Sequence, residues 1–290
     1  MTRMRIGIGL PNAIPDTPAD QLVEWAKRAE ERGFSGLVTI DRIAYPSHDS
    51  LATFAAVATA TSSIGLMTNI LLAPVYPVPV LAKTAATIDQ ISGGRFTLGL
   101  APGGRADDYA VTGRDFHRRG AVFDDALDTM HRAWRGEPLA EGSHPSTQPP
   151  TRDHKVPIMV GGASDKAVER AARWGVGWTA GGTPPEVAGP VAAKVRDAWR
   201  RAGREGEPRL AALAYFSLGS DADQGSRDYL RHYYGFLGGY ADTIAESALR
   251  SEDAIKTAVS AFADAGFNEL YLDPTVASLN QIDRLGDMVL

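Results

Sequence analysis

The segment Ile91–Gly104, ISGGRFTLGLAPGG, contains a helix end, a turn, an apolar strand and a glycine-rich loop. Gly93-Gly94 provide the positive φ that ends a helix. The run Phe96–Leu100 is short and apolar, which predicts a strand covered on both faces. Pro102-Gly103-Gly104 follow at the carboxyl end of this strand, where parallel α/β folds bind their ligands. The segment therefore predicts a parallel α/β fold with a ligand site after this strand.

Short apolar runs alternate with amphipathic segments along the whole chain. We interpret eight runs as strands, over residues 5–10, 36–40, 64–72, 95–101, 156–160, 177–180, 210–218 and 269–272. Helices are predicted over 18–32, 50–61, 78–91, 120–135, 164–174, 185–202 and 252–265, with a mostly helical, aromatic-rich segment over 221–249. Eight βα units in 290 residues are typical of a (β/α)8 TIM barrel. The alternative, an open doubly wound sheet, would need a nucleotide fingerprint after the first strand, and Leu10–Ala13 is not one.

Composition limits the classes of function. No shift in composition marks a linker, so we expect a single domain over 1–290, with an irregular insertion at about 136–155. A net charge of −5 provides no basic surface, so nucleic acid is not expected as a partner. The absence of cysteine excludes disulfides and thiolate sites, and no pair among the six histidines has metal-ligand spacing. Without a signal-peptide h-region or an apolar run near the ~18 residues of a membrane span, we expect a cytoplasmic protein that does not bind membranes.

The run Val160–Ser164, VGGAS, follows the fifth predicted strand and opens a helix. Its two glycines let the backbone approach a ligand closely, and the free N–H groups of the first helical turn point at that ligand. The pattern therefore indicates a phosphate site. The alternative is a plain βα turn in which Ser164 is only an N-cap.

With the strands placed, the chain resembles the bacterial luciferase-like family of flavin- and deazaflavin-dependent oxidoreductases. The stretches that carry the resemblance are Ala82–Phe96, Val160–Ser164 and Ala171–Trp178. The resemblance implies a (β/α)8 barrel that binds coenzyme F-420, or alternatively FMN, at the carboxyl face of its strands. It also implies a homodimer that acts on a small organic molecule.

The resemblance implies positions for the cofactor. Its phosphate is expected at Gly161-Gly162-Ala163-Ser164, with Thr179-Ala180-Gly181-Gly182 forming the opposite side of the site. The isoalloxazine ring is expected over a bulge formed by a non-proline cis peptide at Asn69-Ile70. The loop Pro102-Gly103-Gly104 is expected at the reactive edge of the ring.

Two departures from the family affect the catalytic residues. The family commonly has an acid followed by histidine after the second strand, and this chain has Asp41-Arg42. Some deazaflavin enzymes have a catalytic glutamate near Gly104, and this chain does not. We interpret Arg42 as a residue that binds an anionic group or stabilises developing negative charge; the alternative is an Asp41–Arg42 surface pair.

Aromatic and acidic residues near the expected mouth are predicted to contact the substrate. Tyrosine and phenylalanine are dense in the segment after the seventh strand, and such residues can line an apolar pocket. The alternative is that they pack against the barrel or a dimer partner, and Asp108 could instead cap a turn. The predicted substrate residues are Tyr45, Tyr76, Asp108 and Tyr233.

Three functions remain open from the sequence. The first is hydride transfer with coenzyme F-420, in which the protein provides orientation and electrostatics. The second is FMN-dependent monooxygenation on the same barrel. The third is a non-catalytic relative that binds a flavin or has lost its cofactor.

Overall fold

A computed structural model of the chain describes residues 4–219 and 222–290. These residues contain nine parallel strands: β1 (Arg5–Gly9), β2 (Gly36–Thr39), β3 (Gly65–Thr68), β4 (Leu71–Leu72), β5 (Phe96–Ala101), β6 (Ile158–Gly161), β7 (Gly177–Thr179), β8 (Arg209–Phe216) and β9 (Glu269–Pro274). The strands pair in the order β3-β2-β1-β9-β8-β7-β6-β5-β4, and β3 also pairs with β5. The pairing of β3 with β5 closes the sheet into a barrel of eight strands, of which β3 and β4 form the third.

Helices separate the strands along the chain. They are α1 (Ala19–Arg32), α2 (Ser50–Ala60), α3 (Val78–Ile91), α4 (Ala106–Val111), α5 (Arg119–Trp134), α6 (Asp165–Trp174), α7 (Pro185–Arg201), α8 (Asp223–Tyr233), α9 (Tyr240–Ser247), α10 (Glu252–Asp264) and α11 (Asn280–Val289). The prediction of a TIM barrel is confirmed, and the open sheet is wrong. The sequence did not predict α4, which has only six residues. The predicted helical segment starts at Asp221, which lies outside the described residues, as do Met1–Arg3.

The third barrel strand is interrupted where the sequence predicted a continuous run over 64–72. The peptide bond between Asn69 and Ile70 is cis, which confirms the expectation from the resemblance. At the break, the Thr68 hydroxyl donates to the Gly99 carbonyl and accepts from the Gly99 N–H, both at 2.8 Å. The Thr68 side chain thus replaces the missing backbone hydrogen bonds of the ladder. For this reason the backbone groups of Gly99 in β5 remain hydrogen-bonded beside the interrupted strand.

Arg95 fixes the start of β5. The preceding glycines adopt positive φ, +63° at Gly93 and +82° at Gly94, and α3 ends there as predicted. The Arg95 guanidinium then donates to the carbonyls of Ala58, Thr61 and Ile64 at 2.9–3.0 Å. One side chain therefore satisfies two carbonyls at the end of α2 and one just before β3, and it anchors β5 beside them.

An ion pair fills the end of the barrel opposite the expected ligand mouth. Arg209 at the start of β8 donates to both carboxylate oxygens of Glu269 at the start of β9, at 2.7 and 2.6 Å. Glu269 also binds Arg5, and Tyr271 donates to it at 3.1 Å. This bidentate, hydrogen-bonded cluster seals the amino-terminal end of the barrel, which leaves the carboxyl end for ligands.

None of the helices within residues 4–219 and 222–290 combines the length and apolar character needed to cross a membrane. The same residues contain no group of three or more His, Asp or Glu side chains arranged to bind a metal ion. Residues 136–155 include no helix or strand, and their regular pairing is one isolated bridge between Arg152 and Lys155.

Acid should destabilise the barrel through His131, a buried residue of α5. Its ring stacks on Trp174 with centroids 5.0 Å apart, and burial, with Lys155 and Arg135 nearby, lowers its pKa to about 4. Between about pH 6.5 and 4 the unfolded chain then binds more protons than the folded protein. The free energy of unfolding therefore decreases as the pH is lowered through that window. We expect wild type to lose about 2 kcal/mol from this residue between pH 7.5 and 5.

Urea unfolding at the two pH values measures this loss. His131→Phe keeps an aromatic ring and removes the titration, so it should lose less stability on acidification than wild type. The control is His144→Phe, because His144 is exposed. Equal losses in His131→Phe and wild type would rule out the assignment.

Candidate active site

The carboxyl ends of the strands carry nearly all the predicted site residues. Asp41 and Arg42 follow β2, Asn69-Ile70 separate β3 from β4, and Pro102-Gly103-Gly104 follow β5. The glycine-rich runs 161–164 and 179–182 lie at the ends of β6 and β7. Because all strands are parallel, these segments share one rim of the barrel.

The cis bulge packs against glycines of two neighbouring strands, Gly99 of β5 and Gly161 of β6. A Cβ on Gly161 would lie 3.1 Å from Cδ1 of Ile70, and one on Gly99 would lie 3.5 Å from its Cγ2. The Asn69 side chain contacts β7 instead: its Oδ1 accepts a 2.8 Å hydrogen bond from the Thr179 hydroxyl. The structure therefore joins three of the predicted cofactor segments: the bulge, the end of β6 and the end of β7.

One polar atom of the bulge has no hydrogen-bond partner among the described residues. It is the Nδ2 of Asn69, which is buried. A buried N–H donor without a partner costs free energy, and a ligand acceptor would relieve that cost. Nδ2 of Asn69 is thus a buried, unpartnered donor at the bulge between β3 and β4.

The Gly161-Gly162-Ala163-Ser164 loop leads from the end of β6 directly into α6. Gly162 adopts φ +106°, and its carbonyl accepts from the Trp178 indole at 2.8 Å. Residues 162–164 are exposed, and α6 begins immediately after them. Ser164 caps that helix, since its hydroxyl accepts from the Ala167 N–H at 3.2 Å. Ser164 is therefore an N-cap, and this role is compatible with an anion at the first-turn amides, so the phosphate site stays a prediction.

Hydrogen bonds fix the loop after β7, which is expected on the opposite side of the cofactor site from the Gly161–Ser164 loop. The Gly181 N–H donates to the Thr179 hydroxyl at 3.3 Å, and the Gly181 carbonyl accepts from the Leu213 N–H at 2.8 Å. Gly181 has φ +57°, and Gly182 beside it is exposed. The loop thus presents bare backbone on the other side of the site.

Asp41 is an acid of the rim that has polar neighbours and a strongly shifted pKa. Its carboxylate accepts long hydrogen bonds from the Leu72 N–H (3.3 Å), the Tyr76 hydroxyl (3.5 Å) and the Ser50 hydroxyl (3.4 Å). Burial outweighs these bonds and, with the charges of Asp49 and Asp108, raises the pKa of Asp41 to about 7. A carboxyl with that pKa can gain or lose a proton near neutral pH.

Arg42 does not pair with Asp41, so the predicted alternative of an Asp41–Arg42 surface pair is wrong. Its side chain is 7% exposed and binds the carboxylate of Asp107, which is half exposed. The guanidinium lies 5.0 Å from the Tyr45 ring centroid and 5.7 Å from that of Tyr233, and it donates to the Tyr233 carbonyl at 3.3 Å. Arg42 is thus a buried, aromatic-lined cation at the mouth.

Asp108 has a different position from the one predicted. It is fully buried, and its Oδ1 accepts from the N–H groups of Ile43 and Ala44 at 2.8 and 2.7 Å. These two amides belong to the loop that carries Asp41 and Arg42. The structure therefore gives Asp108 a role in holding that loop rather than in facing a substrate.

The predicted tyrosines surround the two catalytic candidates. Tyr76 donates to Asp41, and Tyr45 packs edge-on against Tyr233 with ring centroids 5.0 Å apart. Tyr233 is 4% exposed, whereas Phe236 in the same segment is 48% exposed. The α8 tyrosines of this segment, Tyr229 and Tyr233, therefore cover the mouth by packing over inward-facing residues of the strands. That these rings contact a substrate stays a prediction.

Arg105 is a residue of the mouth that the sequence interpretation missed. Its guanidinium lies over the rings of Tyr233 (4.5 Å) and Phe236 (4.2 Å), and it donates to the Tyr233 carbonyl at 3.3 Å. No carboxylate pairs with it among the described residues. The signal was its position one residue after Pro102-Gly103-Gly104.

Comparison with known proteins gives the class of the chain. Residues 4–282 match the model of the luciferase-like monooxygenase family. This chain belongs to that family.

Relatives within the same fold use two cofactors. A coenzyme F-420-dependent secondary alcohol dehydrogenase, solved with an F-420–acetone adduct, superposes with a TM-score of 0.81 at 20% identity over 99% of this chain and 98% of that one. The oxygenating constituent of 3,6-diketocamphane monooxygenase from Pseudomonas putida, solved with FMN, gives 0.72 at 16% identity over 99% and 97%. The 5,10-methylenetetrahydromethanopterin reductase of Methanolobus tindarius is 25% identical over 72% of this chain and 65% of its own.

The residues present fit a phosphate-bearing flavin or deazaflavin. The exposed glycine turn before α6 offers N–H groups to a phosphate, and the bulge offers the unpartnered Nδ2 of Asn69 to a ring. Gly103, with φ +74°, brings the loop after β5 against Leu72, where a Cβ would lie 2.6 Å from Cδ2. Bare backbone thus lines the mouth on several sides.

Proposed function

We propose that this chain is a coenzyme F-420-dependent oxidoreductase that transfers hydride to or from a small organic substrate. The observation that carries the proposal is the position of Asp41, an acid with a pKa of about 7. It is bonded to the Leu72 amide two residues after the cis bulge. Asp41 would therefore provide a proton-transfer group beside the cis bulge, over which the cofactor ring is expected.

Each part of the site has a role in this reaction. The bound deazaflavin supplies hydride chemistry, and the protein supplies orientation and electrostatics. Asn69 and Gly161–Ser164 hold the cofactor, and Asp41 exchanges the proton that accompanies hydride transfer. Arg42 places positive charge at the mouth, where it stabilises negative charge developing on the substrate.

The second candidate is FMN-dependent monooxygenation. The substitution of Arg42 for the family's histidine favours it, because a fixed cation stabilises anionic intermediates without exchanging protons. The FMN complex of the camphane enzyme has the same fold.

Titration of purified apoprotein with coenzyme F-420 and with FMN separates the two candidates. We expect F-420 to bind at least tenfold more tightly, measured by fluorescence or calorimetry. Tighter binding of FMN would favour the monooxygenase, and no binding of either would indicate a non-catalytic relative.

Gly162→Val should weaken cofactor binding. The new side chain would enter the exposed turn before α6, where the phosphate is expected. Loss of one charge-assisted phosphate contact is worth about 1.5–3 kcal/mol, or roughly 10–150-fold in Kd.

A matched control separates ligand blocking from backbone strain. Gly203 also has positive φ (+67°) and open space around it, and it lies between α7 and β8. Gly203→Val should therefore lose similar stability and keep its cofactor affinity. Equal Kd changes in the two variants would contradict the phosphate assignment.

A further inference from the structure

Asp273 is an inward-facing acid at the carboxyl end of the last strand. Side chains alternate along β9, so Glu269, Tyr271 and Asp273 point into the barrel while Leu270 and Leu272 point out to the helices. The first two bind Arg209 at the opposite end. Asp273, paired in register with Tyr215 of β8, stands at the mouth end.

The first strand leaves room for this carboxyl. A Cβ on Gly9 would lie 1.7 Å from Oδ1 of Asp273 and 2.9 Å from its Cα. No side chain fits at Gly9 while Asp273 keeps this position. The bare backbone of β1 is therefore the surface on which the Asp273 carboxyl rests.

The Asp273 carboxyl has no polar partner among residues 4–219 and 222–290. Asp273 is 1% exposed, makes no side-chain hydrogen bond with any described residue, and its Oδ1 is both buried and unpartnered. The nearby hydroxyls of Tyr215 and Tyr234 bind each other at 2.7 Å instead. Buried polar groups in native proteins are almost always bonded, so an isolated carboxyl facing the mouth requires an explanation.

We propose that Asp273 is a substrate-binding residue of this site, whose carboxyl hydrogen-bonds the oxygen of a ketone or alcohol substrate. The inference rests on the proposed function and specifies its substrate class. Substrate binding would therefore require the α8 tyrosines that cover the mouth to move aside. The sequence of β9, ELYLDP, contains a signal for this residue, because Asp273 is an acid at an inward position near the otherwise apolar carboxyl end of the strand.

The protonation state suits this role. Burial raises the pKa of Asp273 well above its ordinary value, and no opposing cation contributes. The groups that face it are Tyr215 of β8, Tyr229 of α8 and Tyr234 just after α8. Burial is the main reason that the pKa values of these tyrosines are raised, and a charge on Asp273 would raise them further. Burial therefore favours the neutral form of Asp273, which can both donate to a carbonyl oxygen and accept from a hydroxyl.

The first arm of the test measures thermal unfolding of apoprotein at pH 7.5. Because the Asp273 carboxyl has no partner to lose, Asp273→Leu should melt at or above the wild-type temperature. The matched control is Asp89→Leu: Asp89 is equally buried, but its carboxylate accepts from the Thr151 N–H (2.7 Å) and hydroxyl (2.8 Å). Asp89→Leu should melt lower by roughly 4 °C or more. A comparable drop in Asp273→Leu would assign Asp273 to structure and overturn the proposal.

The second arm uses reduced coenzyme F-420 with acetone, cyclohexanone and larger cyclic ketones as probes. Asp273→Leu should raise KM for the ketones about tenfold, while the Kd for cofactor changes less than twofold. Asp273→Asn still donates through its amide and should recover most of this loss. An unchanged KM in Asp273→Leu would overturn the proposal. If wild type binds neither cofactor, the proposed function fails, and the melting comparison alone decides whether Asp273 is structural.

Discussion

Asp41→Asn should lower turnover about 10²–10⁴-fold while leaving the cofactor Kd nearly unchanged. Asparagine keeps the size of the side chain and can still accept from the Leu72 N–H, but it cannot exchange a proton. Asp41 is raised to a pKa of about 7 chiefly by burial, so its charge is not a source of stability at neutral pH. The variant should therefore remain folded, and the effect should appear in kcat.

The pH profile gives the direction of proton transfer. If Asp41 donates its proton during carbonyl reduction, kcat falls as pH rises through about 7. In the reverse direction Asp41 is the base, and kcat rises through the same pH. Asp41→Asn should remove this inflection in both directions. A profile with the same inflection in the variant would show that another group carries the proton.

A buried aspartate far from the mouth provides the control for Asp41→Asn. Asp89 in α3 is buried and binds Thr151, which belongs to the irregular segment after α5. Asp89→Asn should change the melting temperature and leave kcat at the wild-type level. Loss of kcat in both variants would indicate a general effect of removing a buried carboxyl.

Arg42→Ala should lose about 2–4 kcal/mol of transition-state stabilisation, or roughly 30–1000-fold in kcat/KM. The guanidinium is buried between Tyr45 and Tyr233, so its charge is poorly screened. Arg42→Lys should keep part of the activity because it keeps the charge without the planar group. Arg42→His should introduce a new pH dependence, since histidine titrates near neutral pH.

Arg170 is a matched control for Arg42. Its side chain is 9% exposed and pairs with the half-exposed Asp124, much as Arg42 is 7% exposed and pairs with Asp107. Arg170 links α6 to α5 on the outside of the barrel. Arg170→Ala should cost similar stability and retain full activity. Wild-type turnover by Arg42→Ala would mean that Arg42 only packs in the loop.

The amino-acid sequence by itself determined the order of elements. Apolar runs of strand length and helix-ending glycines such as Gly93-Gly94 depend on local backbone preferences, which need no partner to be visible. The eight βα units follow from that pattern, as does the glycine turn before α6. The interruption at Asn69-Ile70 was not visible in the residues themselves and came only from the family resemblance.

Only the tertiary structure decided which charged groups meet. Arg42 binds Asp107, 65 positions away, rather than adjacent Asp41, and Asp108 caps the amides of Ile43 and Ala44. Local spacing does not encode such pairs, because βα loops from different strands converge at one rim of the barrel. The pKa of Asp41 and the isolation of Asp273 likewise depend on burial by distant segments, which is set when the sheet closes.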